Sequence, residues 1–189
     1  MKSALNVQIL LVARCGFKTD ITLYDEITGK DIRYECDEPE ENILKSGLCI
    51  FHDQNYLNDS KNKEANEENI RKKLSEKQTK SGPLICIGYY LSDCSFERIH
   101  FQKSVNFNET VFMGLADFTE AQFKKAIFIG AKFTEKAVFY KTQFTEEADF
   151  HGAQFTNEAD FHGAQFSKDA LFYDVHFSDK ANFNEAHFT

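Results

Sequence analysis

The sequence predicts a mainly β protein, in which a small α+β cap precedes a four-sided β coil that fills the C-terminal half. Three observations predict this fold. Phenylalanine recurs every five or six residues from Phe96 to Phe188, and this series holds 18 of the 20 phenylalanines. A small or β-branched residue stands two places before each of them. Phenylalanines four steps apart are mostly 22 residues apart, as in Phe139, Phe161 and Phe183.

Neither a helix nor a flat sheet can use this spacing. Five residues rotate a helix by about 500°, so successive phenylalanines would spiral around its surface. In a flat strand the same spacing places alternate phenylalanines on opposite faces. A chain that turns a corner after each short segment can point every phenylalanine inward, with the small residue leaving room for the ring.

Four sides of five, six, five and six residues make one coil, so that identical sides stack as parallel ladders. Eighteen sides predict about 4.5 coils. The remaining positions are mostly polar, among them Asp117, Glu120, Lys132, Asp149 and Asp160, and are expected to face outward or to form corners. Three successive steps of five between Phe118 and Phe133 predict a corner that lacks one residue.

The repeat, seen in full in "ADFHGAQFTNE" at 148–158, resembles the pentapeptide-repeat family in its Phe-centred variety. The resemblance covers residues 94–189. It implies a right-handed quadrilateral β-helix, the pentapeptide-repeat solenoid, and no enzymatic activity. A few members of the family resemble B-form DNA in shape and charge and bind DNA gyrase.

Residues 1–83 are predicted to form the α+β module and residues 84–189 the β-helix. The apolar run at 9–13 is too short for a lipoprotein signal, and Arg14 stands directly before Cys15, where such a signal requires a small residue. We therefore expect residues 9–13 to form a buried strand. Residues 20–36 predict a hairpin that turns at 28–30. Residues 64–80 predict a surface helix with a thin apolar stripe of Ile70 and Leu74. The apolar run "LICIGYYL" at 84–91 is expected to enter the β-helix and to cover its first coil.

The cysteines of the N-terminal half suggest a metal site. Cys49 and His52 form a C-x-x-H pair, Cys36 lies 13 residues upstream, and Cys15 precedes both. Thiolates with an imidazole are the ligand set of structural zinc, so one zinc ion is predicted on Cys15, Cys36, Cys49 and His52. The alternative is that the three cysteines are small buried hydrophobic residues and that His52 lies on the surface.

The segment "GLCIFHD" at 47–53 also resembles the end of a small zinc module that precedes the repeats in some pentapeptide-repeat proteins. Those modules carry a further cysteine four or five residues before the one at position 36. Here Asp31 and Ile32 hold those places, so Cys15 would have to serve as the fourth ligand instead. The other two cysteines, Cys86 and Cys94, are predicted to be core residues.

The five histidines of the repeat are expected to point outward without converging on a site, and no two are expected to share a stacked column. His151 is predicted to stack over Tyr173, and His162 to lie between Tyr140 and Asn184. The sequence ends partway through a coil at "EAHFT". We expect either a fragment of a longer protein or a last coil that pairs with another copy.

Composition limits the classes of function. A net charge of -8 and a pI near 5.3 argue against direct nucleic-acid binding, which needs a basic surface. Five cysteines fit a reducing cytoplasm, and no apolar run approaches the roughly 20 residues of a membrane-spanning helix. Phosphate-loop, G-x-S-x-G and H-E-x-x-H motifs are absent.

The sequence therefore predicts a non-enzymatic scaffold or protein-binding module. Its partner is an unidentified protein, with a homodimer through the C-terminal coil as one option. The alternative function is a DNA mimic that acts on DNA gyrase.

Overall fold

A computed structural model describes residues 15–25, 30–36, 38, 43–46, 48–79 and 83–189. By its contacts the chain separates into two compact units, Met1–His52 and Asp53–Thr189. The helical segment is thereby grouped with the β-helix, and the domain division at 83/84 stays a prediction. The strand expected at 9–13 and most of the hairpin turn at 28–30 lie outside the described residues.

The first unit contains the predicted hairpin. Strand β1 (Thr22–Asp25) pairs antiparallel with β2 (Lys30–Arg33), with Leu23 opposite Ile32. The N–H of Tyr34 donates to the carbonyl of Ile21 at 3.0 Å and extends the pairing by one step.

The second unit begins with two helical segments. A 3-10 helix spans Gln54–Asn58 and helix α1 spans Ser60–Thr79. Helix α1 begins four residues before the predicted start, where the carboxylate of Asp59 accepts the N–H of Lys61 at 3.0 Å, as an N-terminal cap does. Of the two residues of the predicted apolar stripe, Ile70 is buried, and the side chain of Leu74 lies outside the described part. Of the described helices, none has the length and apolar character needed to cross a bilayer.

Five coils of four two-residue strands follow. Their strands are, in the first coil, β3 (Leu84–Ile85), β4 (Tyr90–Leu91), β5 (Cys94–Ser95) and β6 (His100–Phe101); in the second, β7 (Val105–Asn106), β8 (Val111–Phe112), β9 (Ala116–Asp117) and β10 (Gln122–Phe123); in the third, β11 (Ala126–Ile127), β12 (Lys132–Phe133), β13 (Ala137–Val138) and β14 (Gln143–Phe144); in the fourth, β15 (Ala148–Asp149), β16 (Gln154–Phe155), β17 (Ala159–Asp160) and β18 (Gln165–Phe166); in the fifth, β19 (Ala170–Leu171), β20 (His176–Phe177), β21 (Ala181–Asn182) and β22 (His187–Phe188).

Corresponding strands of successive coils pair in parallel and form four five-stranded sheets. We number them sheets 1 to 4, after the first to fourth strand of each coil. Equivalent residues face one another across each step: Ala126 pairs with Ala148, and Phe123 with Phe144. The predicted quadrilateral β-helix is confirmed, with four parallel sheets and about five coils.

The interior is built from columns of stacked rings. Phe118, Phe139, Phe161 and Phe183 form one column, with centroid separations of 4.7, 4.6 and 4.7 Å and nearly parallel planes. The small residues beside the rings, such as Ala137, are fully buried. Rings from different columns meet edge to face, an arrangement that aromatic quadrupoles favour.

The first coil departs from the prediction. The strand expected to cover the coil at 84–91 instead forms two of its sides, β3 and β4, so that prediction is wrong. Cys86 and Leu91 are fully buried and occupy, in the first coil, the inward positions that Phe107 and Phe112 occupy in the second. Because neither residue is a phenylalanine, the spacing of phenylalanines does not reveal this coil. The predicted short corner is confirmed at residues 124–125, where other corners between sheet 4 and sheet 1 have three residues.

Two of the four corners rely on specific backbone conformations and carboxylate caps. The corners from sheet 1 to 2 and from sheet 3 to 4 each contain one left-handed residue per coil, such as Glu120 at φ 54°. The carboxylates of Asp117, Asp149 and Asp160 each accept the N–H two residues ahead, at 2.9–3.0 Å. These side chains therefore order the turn as well as face outward, and Asp149 is buried.

Helix α1 closes part of the open edge of the first coil through Asn66, which is 0% exposed. Its carboxamide donates to the carbonyl of Tyr90 at 3.2 Å and accepts the N–H of Ser92 at 3.1 Å. These are backbone groups that a preceding coil would satisfy in an internal ladder. The amide of one side chain thus replaces a peptide group at the end of sheet 2.

Replacing Asn66 with alanine is expected to lower the free energy of unfolding of this unit by about 2–3 kcal/mol, since two buried backbone groups lose their partners. Urea denaturation measures the loss, and amide exchange by NMR should show faster exchange at Ser92. The half-buried Asn69 on the same helix provides a control. Equal effects of Asn66→Ala and Asn69→Ala would contradict the role given to Asn66.

Candidate metal centre

The four predicted ligands lie together in the first unit. The three sulfurs of Cys15, Cys36 and Cys49 and a ring nitrogen of His52 are all within 4.8 Å of one another. Cys15 precedes the β1–β2 hairpin and Cys36 follows it, so the hairpin returns the chain to its starting point. Cys36 and Cys49 are buried, and Cys15 is half-buried.

A tight turn and a bridge position the C-x-x-H pair. Ile43 pairs antiparallel with Cys49, and the N–H of Leu44 donates to the carbonyl of Leu48 at 2.8 Å. The chain then turns again, and the N–H of His52 donates to the carbonyl of Cys49 at 3.0 Å. This second turn brings the side chains of Cys49 and His52 to the same side.

The distances between the ligand atoms suit one tetrahedral ion. The sulfurs of Cys36 and Cys49 are 3.8 Å apart. His52 Nδ1 lies 3.1 Å from the Cys49 sulfur and 3.3 Å from the Cys15 sulfur. Zinc–sulfur bonds of about 2.3 Å give a tetrahedral S–S edge of about 3.8 Å, and the S–N edge is slightly shorter. The nitrogen that faces the cluster is Nδ1.

Backbone N–H groups point at all three sulfurs. Cys15 accepts from Phe17, Cys36 from Glu38, and Cys49 from Phe51, each the residue two places ahead. The N–H of Cys49 also donates to the Cys15 sulfur at 3.3 Å. Hydrogen bonds of this kind stabilise sulfur in its thiolate form, which is the form that binds a metal.

The three thiols do not ionise independently. The hydrogen bond from Cys49 lowers the pKa of Cys36 to about 5, against the opposing effect of burial. The same hydrogen bond, followed by burial, raises the pKa of Cys49, and burial raises that of Cys15. The cluster therefore favours one thiolate at neutral pH. A divalent cation would supply the charge needed to deprotonate the other two thiols.

The imidazole of His52 is held in place by Phe17. The two rings are stacked at 3.8 Å with an angle of 9° between their planes. His52 is only 3% exposed, which contradicts the surface position required by the alternative interpretation. Sequence reasoning missed Phe17, because only its position two residues after Cys15 linked it to the cluster.

The remaining sequence predictions concern the solenoid. Cys86 and Cys94 are core residues as predicted. The histidines of the repeat form no cluster with other metal-ligating groups among the described residues, and they lie exposed or half-buried along its surface. His151 contacts Tyr173 at 4.1 Å between ring centroids, which confirms the predicted pair.

One prediction about the histidines is wrong. His100 and His187 occupy the same outward column of sheet 4, at its two ends. The corner at 124–125 is one residue short, so His100 and His187 are not separated by a multiple of 22 residues. A count in steps of 22 therefore misses their alignment.

Comparison with known proteins identifies the repeat. Residues 118–165 and 128–176 match a family model described as pentapeptide repeats (9 copies). Searches of curated proteins and of solved structures give no match to the chain.

Replacing Cys49 with serine is expected to weaken binding of a divalent metal by more than about 100-fold, beyond the range seen for residues that only support ligands. Titration with Co²⁺ measures this, because thiolate coordination gives an intense charge-transfer absorption. The matched control is Cys94→Ala, which introduces the residue that the next coils carry at that place, as at Ala116. Unchanged cobalt affinity in Cys49→Ser would show that Cys49 is not a ligand of the metal.

Proposed function

We propose that this chain, which matches the pentapeptide-repeat family model over residues 118–176, is a non-enzymatic protein-binding scaffold with a zinc-bound N-terminal module. The observation that carries the scaffold proposal is the filled interior. Rings such as Phe139 and Phe150 are fully buried and contact rings on every side. A coil filled in this way has no internal space for a substrate, so recognition falls to the outward side chains.

The four sheets offer distinct outward surfaces. Sheet 1 presents mainly aliphatic residues such as Ile127 and Leu171, whereas sheet 4 presents carboxamides such as Gln143. Because the parallel ladders fix the spacing of these columns, the surfaces are preorganised for a partner and lose little conformational freedom on binding. This supports a binding module more than an enzyme.

The Cys₃His set supports a structural zinc ion. Four protein ligands complete a tetrahedral shell, whereas catalytic zinc keeps one position for water or substrate. The three thiolates favour zinc over magnesium or calcium, which prefer oxygen ligands. Residues 1–52 form a unit too small to rely on a large hydrophobic core, and a metal is a common means of stabilising such a unit.

The charges of the corners do not favour the DNA-mimic alternative, which stays a prediction. A mimic needs an unbroken negative strip along the coil axis. Here acids alternate with bases along the columns: Lys136 pairs with Glu158 at 3.4 Å, and Glu158 with Lys180 at 3.9 Å.

Site-specific photocrosslinking in living cells tests the scaffold proposal. A photoreactive amino acid is placed on one sheet at a time, replacing Ile127, Lys132, Val138 or Gln143, in the full chain. We expect one dominant protein adduct, obtained from one sheet or from two neighbouring sheets. The mass of the adduct distinguishes a second copy of the chain from a different protein.

The replacements on the remaining sheets serve as internal controls for random collision. Adducts of equal yield and mixed mass from all four sheets, or no adduct from any sheet, would contradict the proposal. Zinc is tested separately, so failure of one proposal leaves the other standing.

A further inference from the structure

The outward column of sheet 4 is uniform in chemistry. His100, Gln122, Gln143, Gln165 and His187 stack in register over the five coils. Within the described residues, the side-chain amides of the three glutamines make no hydrogen bond. Every member of the column is an amide or an imidazole that can both donate and accept hydrogen bonds, so the column is chemically complementary to itself.

Two open grooves flank this column. One, of about 490 Å³, runs between the glutamines and the corner from sheet 3 to sheet 4, where Glu120 and Lys141 lie. The other, of about 380 Å³, lies on the opposite side, beside Lys124 and Glu146 of the corner from sheet 4 to sheet 1. The column is therefore a ridge with space on both sides, which a second surface could fill.

The charges beside the column reverse between neighbouring coils. In the second coil an acid, Glu120, lies on one side and a base, Lys124, on the other. In the third coil the base Lys141 lies on the first side and the acid Glu146 on the second. In these two coils the two sides of sheet 4 thus carry opposite signs.

We propose that sheet 4 is the interface of a parallel homodimer whose two-fold axis runs parallel to the coil axis and lies between the two facing sheets. Such an axis places one corner of the first copy against the other corner of the second, at the same coil. Glu120 then faces Lys124 of the second copy, and Lys141 faces its Glu146. Each glutamine faces its own counterpart, and the ladders match because both copies have the same rise per coil.

An antiparallel pair would lose this complementarity. It places each corner against the same corner of the second copy, so that Lys141 meets Lys141 and Glu146 meets Glu146 at the central coil. Like charges placed directly opposite are destabilising.

Several of these charged groups also form ion pairs within their own chain: Arg98 pairs with Glu97 and Glu120 at 3.2 and 2.9 Å, and Lys124 pairs with Glu146 at 3.7 Å. The side chains of Glu120 and Glu146 are each 40% exposed and that of Lys124 is 56% exposed, so these charges stay accessible to a second copy.

This interface differs from the predicted homodimer through the C-terminal coil. That arrangement would stack one solenoid on the end of another, at the 55% exposed Phe188. Pairing through sheet 4 is lateral. It goes beyond the proposed function and needs no metal.

Cysteine crosslinking tests both the interface and its orientation. Gln122, Gln143 and Gln165 are replaced singly by cysteine, and each chain is treated with a short bis-maleimide. A parallel pair brings every one of these positions to its own counterpart. All three variants should then give at least about tenfold more dimeric adduct than Gln154→Cys on sheet 2, because pairing raises the local thiol concentration. The unaltered chain measures the contribution of the native cysteines, of which Cys15 is half-buried.

The other outcomes overturn the proposal. Self-crosslinking at Gln143→Cys alone, with Gln122→Cys reacting only in a mixture with Gln165→Cys, would show an antiparallel pair. Adduct no greater than with Gln154→Cys would show that sheet 4 is not paired.

A second variant works without crosslinking. Gln143→Lys places two like charges at the interface and is expected to raise the dimer dissociation constant at least about tenfold in analytical ultracentrifugation. Gln154→Lys is the matched control. A monomeric unaltered chain, or an unchanged constant in Gln143→Lys, would also overturn the proposal.

Discussion

The solenoid depends on how its narrow interior is filled. Each side of a coil contributes one large and one small inward residue. The rings of successive coils are stacked in contact, as in the 4.5 Å between the ring centroids of Phe112 and Phe133. A second large residue would not fit, and a missing ring would leave a cavity. Because this packing holds the coils in register, the outward columns are aligned as well. The packing of the core thus determines the geometry of the outward surfaces.

Much of this fold could be predicted because the interior imposes a periodic pattern on the sequence. The prediction failed where other residues fill the same space. Cys86 and Leu91 serve in place of phenylalanine, so the first coil was mistaken for a covering strand. The role of Asn66 was equally hidden, since a polar residue in a polar helix gives no sign that it completes a backbone ladder. The shared column of His100 and His187 was missed because one short corner shifts the residue count.

The candidate metal centre was predictable in its ligand types but not in its assembly. The C-x-x-H spacing of Cys49 and His52 indicates two ligands within one turn. Spacing alone does not show that Cys15 meets them, because the hairpin between Cys15 and Cys36 decides the distance. Neither the N–H groups aimed at the sulfurs nor the ring of Phe17 on His52 leaves a signal in the sequence. These contacts orient the ligands as supporting residues do in known metal sites.

The two units are thus stabilised differently, one by stacked rings and the other, in our account, by a metal ion on four side chains. X-ray absorption at the zinc edge of the purified full chain tests this account most directly. It predicts about one zinc per chain with three sulfurs at about 2.3 Å and one nitrogen at about 2.0 Å. A chain without zinc, or a shell made mainly of oxygen and nitrogen, would contradict it.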